Sequence, residues 1–176
     1  MNLPNLLTLL RIVLIPPFVI LLSYGYRWPA LGVFLAAGLT DALDGFIART
    51  WRQQTELGRA LDPLADKLLL NAAFITLGVL HWVPLWLVIL IISRDLIILV
   101  GGLFSHLMHL HVPMHPTVLG KGTTVSQLVY VSLAMALSHT PPALVALQWL
   151  TAGLTVLSGL HYLYRGIRAV NAHESA

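Results

Sequence analysis

Apolar residues run along this chain in six blocks, at about 6–25, 29–50, 59–80, 84–107, 118–138 and 143–166. Short polar or turn-forming signals separate them: Gly25-Tyr26, Gln53-Gln54, Trp82-Val83-Pro84, Val112-Pro113 and Pro141-Pro142. A helix needs roughly 20 mainly apolar residues to cross a hydrocarbon core, so the pattern predicts six transmembrane helices with tight connections. The expected fold class is an all-α membrane protein, with a single membrane domain over 1–168 and a short tail over 169–176. The first block lacks a basic leader and a small-residue cleavage pattern and is read as a retained helix. No internal repeat or low-complexity segment interrupts the series.

Composition agrees with the pattern. The chain is 57% hydrophobic and 10% charged, against about 25% charged in an ordinary soluble domain. If both termini are cytoplasmic, Arg49, Arg52, Arg59, Lys121, Arg165 and Arg168 all fall on the inner side and Arg27 alone on the outer, which fixes the expected orientation. Trp28, Trp82 and Trp86 then lie at outer ends of spans, where indole rings favour the headgroup region. The net charge of +3 reflects scarce acids, and no basic tract with interleaved aromatics points to nucleic acid. There is no cysteine, which excludes disulfides and thiolate metal sites.

Against this background the acids stand out. Asp41, Asp44, Asp62 and Asp66 lie close together in a chain that holds 7 acidic residues. An ionised side chain at mid-membrane costs roughly 2.5–3.5 kcal/mol, so such a cluster must be neutralised, expelled or held by positive charge. On a helix Asp41, Asp44, Gly45, Ala48 and Arg49 form one stripe, and Gly58, Asp62 and Asp66 form a second at the start of the next span. Clustered carboxylates suit hard cations such as Mg²⁺, Mn²⁺ or Ca²⁺, and Mg²⁺ is commonly shared with a substrate phosphate. Gly45, Ala48 and Gly58 leave room for a nucleotide or its pyrophosphate to approach the backbone, and Arg49 offers a fork for phosphate oxygens. Two other readings accompany this one: small residues that merely let helices pack closely, and the acidic site of a cation transporter. Transporter sites favour the midplane on broken helices, whereas these acids sit toward the cytoplasmic end.

The spacing Asp41, Asp44-Gly45, Ala48-Arg49, Gly58, Asp62, Asp66 resembles at every position the signature of the CDP-alcohol phosphatidyltransferases. Pro4-Asn5, Thr8, Arg11 and Leu119-Gly120-Lys121 extend the resemblance over most of the chain, and it looks closest to the bacterial phosphatidylglycerophosphate synthase and CMP-forming cardiolipin synthase branch. The resemblance implies a homodimeric enzyme of the bacterial cytoplasmic membrane with its active site facing the cytoplasm. It would move a phosphatidyl group from CDP-diacylglycerol to a glycerol-type alcohol and release CMP. It further implies two divalent ions, Mg²⁺ or Mn²⁺, on Asp41, Asp44 and Asp62, with Asp66 completing the metal site and acting as general base. Asn5, Thr8, Asp41, Gly45, Ala48, Arg49 and Gly58 would line the CDP pocket. Glycerol 3-phosphate is the expected acceptor and phosphatidylglycerol the alternative, since Asp95 and Gly102 depart from the pattern of the first enzyme while Arg94-Asp95, Pro116-Thr117 and Gly120-Lys121 resemble the second.

Arg94-Asp95 is an adjacent charge pair inside the fourth span, costly unless paired or facing a polar cavity. It is either a structural pair between helices or a site where Arg94, assisted by Lys121, meets a phosphate. Arg11 in the first span either snorkels or faces the active-site cavity. His106, His109, His111 and His115 are read as unliganded residues of an interfacial loop, because two prolines break the run and no carboxylate accompanies it.

Overall fold

The structure is a computed structural model. It describes the backbone of residues 3–51, 56–107, 117–137 and 141–174, and within them the side chains of 9–40, 67–102, 117–137 and 141–168. The described residues form six α-helices and no strand: α1 Leu3–Ser23, α2 Arg27–Trp51, α3 Glu56–Val79, α4 Leu85–Leu107, α5 Val118–Ala136 and α6 Pro142–Glu174. Each predicted block therefore corresponds to one helix. α6 continues through 169–174, the stretch assigned from sequence to a tail. The turns at Gln53-Gln54 and Val112-Pro113, and the residues His109, His111 and His115, lie outside the described residues.

Two described helices contain windows long and apolar enough to cross a membrane, Leu85–Gly102 in α4 and Pro142–Arg168 in α6. α1 and α3 contribute shorter apolar stretches, Leu9–Ser23 and Lys67–Val79. The acids of α2 and α3 and the run Lys121, Thr123, Thr124, Ser126 and Gln127 in α5 dilute the remainder.

The chain divides into two compact units. The first comprises Met1–Val83 with Val131–His139; in it α1 packs against both α2 and α3, which also touch each other. Phe18, Leu22, Phe34, Leu70, Phe74 and Leu77 are fully buried there, and the Phe18 and Phe34 rings meet at 5.7 Å with a 37° tilt. Two helix ends close this unit in the same way. At the end of α1, Tyr26 N–H donates to Leu21 O at 2.9 Å and Gly25 N–H to Leu22 O at 3.0 Å, with Gly25 at φ 82. At the end of α3, Trp82 N–H donates to Leu77 O at 2.9 Å and His81 N–H to Gly78 O at 3.1 Å, with His81 at φ 60. Both are Schellman caps, in which a left-handed residue lets two terminal carbonyls be satisfied. The Arg27 guanidinium lies 4.0 Å from the Trp82 ring centroid and links the start of α2 to the end of α3.

The second unit comprises Pro84–Tyr130 and Thr140–Ala176. In it α4 and α6 pack side by side and run parallel, since Trp86 stacks on Trp149 at 5.2 Å near their starts and Arg94 bonds Ser158 further along. Thr117 caps α5 through a bond from Gly120 N–H to its hydroxyl at 3.1 Å, and Pro142 opens α6, where its missing N–H costs nothing.

The caps give a direct test. Gly25→Val forces a β-branched residue to φ 82 and is expected to lower stability by about 1–2 kcal/mol. His81→Gly, which relieves the same conformation, is expected to leave stability unchanged or raise it. Thermal unfolding of both variants in one detergent reads the difference.

Candidate functional site

The acid motif is divided between two neighbouring helices. Asp41, Asp44, Gly45, Ala48 and Arg49 lie in the last turns of α2, and Gly58, Asp62 and Asp66 in the first turns of α3. Both helices pack on α1, whose first turns carry Asn5 and Thr8. The side chains of all these residues lie outside the described ones, so their mutual geometry is not part of the structure. Among the described residues no group of His, Cys, Asp and Glu is arranged to hold a metal. Arg11, two turns along α1 from Asn5, is only 1% exposed, which excludes the snorkelling arrangement.

The second unit contains a site whose side chains are described. Arg94 on α4 is 6% exposed and donates through Nη1 to Asp95 Oδ1 at 2.7 Å and through Nη2 to Ser158 Oγ on α6 at 2.6 Å. The ion pair is thus between chain neighbours, and the bond that ties one helix to another is the one to Ser158. Arg94 Nε has no hydrogen-bond partner among the described residues. Leaving a buried donor on a cation unsatisfied costs at least about 1–3 kcal/mol.

Two glycines make the slot. A Cβ on Gly120 would lie 3.2 Å from Thr117 Oγ1 and 3.6 Å from both Arg94 Nη2 and the Tyr162 hydroxyl. A Cβ on Gly159 would lie 3.5 Å from Arg94 Cγ. The guanidinium therefore occupies a space bounded by α4, the start of α5 and α6, with the Tyr162 ring 6.0 Å from its central carbon. Lys121, the expected assistant, follows Gly120 in the chain but is exposed and forms no ion pair among the described residues.

A polar seam continues from this slot along α5 and α6. Thr123 donates to Leu119 O at 2.8 Å and lies 3.1 Å from Leu154 O; Gln127 Nε2 reaches Thr155 Oγ1 at 3.4 Å; the Tyr130 hydroxyl meets Gln148 Oε1 at 3.2 Å. Thr124, Ser126 and Thr155 return their protons to carbonyls of their own helix. Sequence reasoning identified Arg94 but missed Ser158, Gly159 and Tyr162. Their signal was faint: a Ser-Gly pair and a tyrosine one turn later, in a span where small residues ordinarily serve packing.

A family profile described as CDP-alcohol phosphatidyltransferase matches residues 1–157. The chain is 37% identical to CDP-diacylglycerol–glycerol-3-phosphate 3-phosphatidyltransferase of Bacillus subtilis, over 96% of this chain and 97% of that protein. It is 34% identical to the enzyme of the same name from Salmonella paratyphi A, over 92% and 93%. It is also 35% identical to the rat cardiolipin synthase (CMP-forming), over 96% of this chain but 63% of the relative, so the chain spans just under two thirds of that protein.

The pair in the slot makes a stability prediction. Asp95→Leu removes the counter-charge at 2.7 Å and is expected to destabilise the protein by about 3–5 kcal/mol. Arg94→Leu combined with Asp95→Leu is expected to cost less than Asp95→Leu alone, because no uncompensated charge remains. Melting temperatures of the two variants in one detergent give the comparison.

Proposed function

Because the chain belongs to the CDP-alcohol phosphatidyltransferase family, we propose that it transfers a phosphatidyl group from CDP-diacylglycerol to a glycerol-type hydroxyl and releases CMP. The observation that carries this reading is the complete acid signature on the facing ends of consecutive helices, Asp41 and Asp44 late in α2 and Asp62 and Asp66 early in α3. Four carboxylates form a hard-oxygen donor set, which fits two Mg²⁺ or Mn²⁺ ions held by Asp41, Asp44 and Asp62 with Asp66 completing the site. When bound, the ions supply neutralisation of the pyrophosphate and of the charge on departing CMP.

The chain's own residues do the rest. Asn5, Thr8, Gly45, Ala48, Arg49 and Gly58 receive the CDP portion, the small residues giving room and Arg49 a planar fork. Asp66 takes the proton of the acceptor hydroxyl. The hydroxyl oxygen bonds the lipid-side phosphorus as the bond from that phosphorus to CMP breaks, and no covalent enzyme intermediate is needed. Arg94, whose Nε–H has no partner among the described residues, binds the acceptor's phosphate. Glycerol 3-phosphate is the leading acceptor, in keeping with the name of the Bacillus subtilis relative, and phosphatidylglycerol the second, in keeping with the rat one. The enzyme works as a homodimer in the bacterial cytoplasmic membrane, with six spans and both termini in the cytoplasm, among membrane lipids that also supply its donor. The mostly inner-side basic residues and the six helices support that topology.

The purified protein, given CDP-diacylglycerol with Mg²⁺ or Mn²⁺, is expected to release CMP when glycerol 3-phosphate or phosphatidylglycerol is added, and to stop on chelation. Asp66→Asn should lower turnover by about 10²–10⁴-fold while CDP-lipid binding persists. Substantial residual turnover removes Asp66 from the base role. Absence of CMP release with every alcohol and metal tried overturns the proposed reaction.

A further inference from the structure

We infer that Ser158 is a second donor of the acceptor-phosphate site, holding Arg94 in place and offering its own hydroxyl proton to the anion; this rests on the reading of Arg94 given above. Its bond with Arg94 Nη2, 2.6 Å long, is the hydrogen bond that joins Arg94 to another helix among the described residues. Nη2 is a donor without lone pairs, so Ser158 Oγ must accept, and the serine proton is left to point elsewhere.

The usual outlet for that proton is closed or unused. A helical serine in apolar surroundings ordinarily bonds a carbonyl three or four residues back, as Thr123, Thr124, Ser126 and Thr155 all do here. For Ser158 those carbonyls are Leu154 O, which lies 3.1 Å from Thr123 Oγ1, and Thr155 O; neither takes a bond from Ser158. Ser158 is 0% exposed and so cannot spend the proton on bulk water. Two donors thus lie together in one buried place, the Arg94 Nε–H and the Ser158 O–H, and both lack an acceptor among the described residues.

Gly159 and Gly120 flank the same place, where a Cβ on either would come into van der Waals contact with Arg94, and on Gly120 with the Tyr162 hydroxyl as well. A cation beside two neutral hydroxyls is suited to the oxygens of a phosphate ester, which can take a charge-assisted bond from the guanidinium and a neutral one from the serine. Glycerol 3-phosphate and phosphatidylglycerol share that group, so the same pair serves either acceptor.

The test uses full-length enzyme in detergent–lipid micelles, with initial rates measured against each substrate in turn and separate arms for glycerol 3-phosphate and phosphatidylglycerol. Ser158→Ala should lower the melting temperature through the lost Arg94 bond and raise the acceptor KM about tenfold or more in the arm that wild type uses, with the CDP-diacylglycerol KM unchanged. Ser158→Thr, which keeps the hydroxyl, should stay within about threefold of wild type, less than the loss of one such bond. An acceptor KM that Ser158→Ala leaves alone overturns the inference, as does a parallel rise in both KM values with a lowered melting temperature, which marks a purely structural serine. Arg94→Gln separates the two levels. If it raises the acceptor KM while Ser158→Ala does not, only the serine assignment fails; if it also has no effect, the Arg94 reading fails with it.

Discussion

A guanidinium among apolar helices must be surrounded by partners supplied by the protein, and the second unit is organised around meeting that requirement for Arg94. Burial to 6% exposure removes most of the water that would solvate the charge. Asp95 provides the counter-charge from the adjacent position, at the cost of a second buried ion. Ser158 then brings α6 to α4 at a fixed register, and Gly159 and Gly120 lie where a Cβ would touch the arginine's stem and head. The Trp86 and Trp149 stack repeats the same α4 to α6 pairing toward the helix starts, so two contacts of different chemistry define one parallel alignment.

The first unit satisfies its polar groups by different means. Its helix ends, where carbonyls run out of intrahelical donors, close with Schellman caps at Gly25 and His81. Interior hydroxyls bond backward, as Thr76 does to Ala72 O at 2.7 Å. With local polarity handled in this way, the core of α1, α2 and α3 is formed by aliphatic and phenyl side chains and leaves the late turns of α2 and early turns of α3 to carry the acids.

What could be read from the sequence follows from what is local. Helix limits were legible because Gly25, Pro84, Thr117 and Pro142 act on the backbone within one turn of themselves. The acid signature was legible because its meaning lies in spacing along two consecutive helices. Arg94 was visible as an anomaly, but its partner was not: nothing near Arg94 in the chain announces Ser158, which belongs to α6 and meets it only through packing. Whether Arg94 and Asp95 pair within one helix or between helices was likewise open, and the structure shows the former with the interhelical role passed to serine. The α6 backbone continues to Glu174, through the stretch from 169 onward whose polarity suggested a tail.

This division has a consequence for how acceptor choice is encoded. In the proposed mechanism the acids act on the transfer itself, and their spacing leaves little freedom. The Arg94 site has more: its shape depends on residues from three helices that are far apart in sequence, several of them glycine or serine, where adding one or two atoms changes the volume or the donors offered. Lys121, prominent from sequence because it is charged, is exposed and adds no contact to this slot among the described residues. If Arg94 binds the acceptor's phosphate as proposed, acceptor preference depends less on the number of cations near the site than on what stands opposite Arg94. On that reading a chain can change the feature through α6 while its acid signature on α2 and α3 stays intact, in keeping with relatives named for two different acceptors resembling this chain to nearly the same degree.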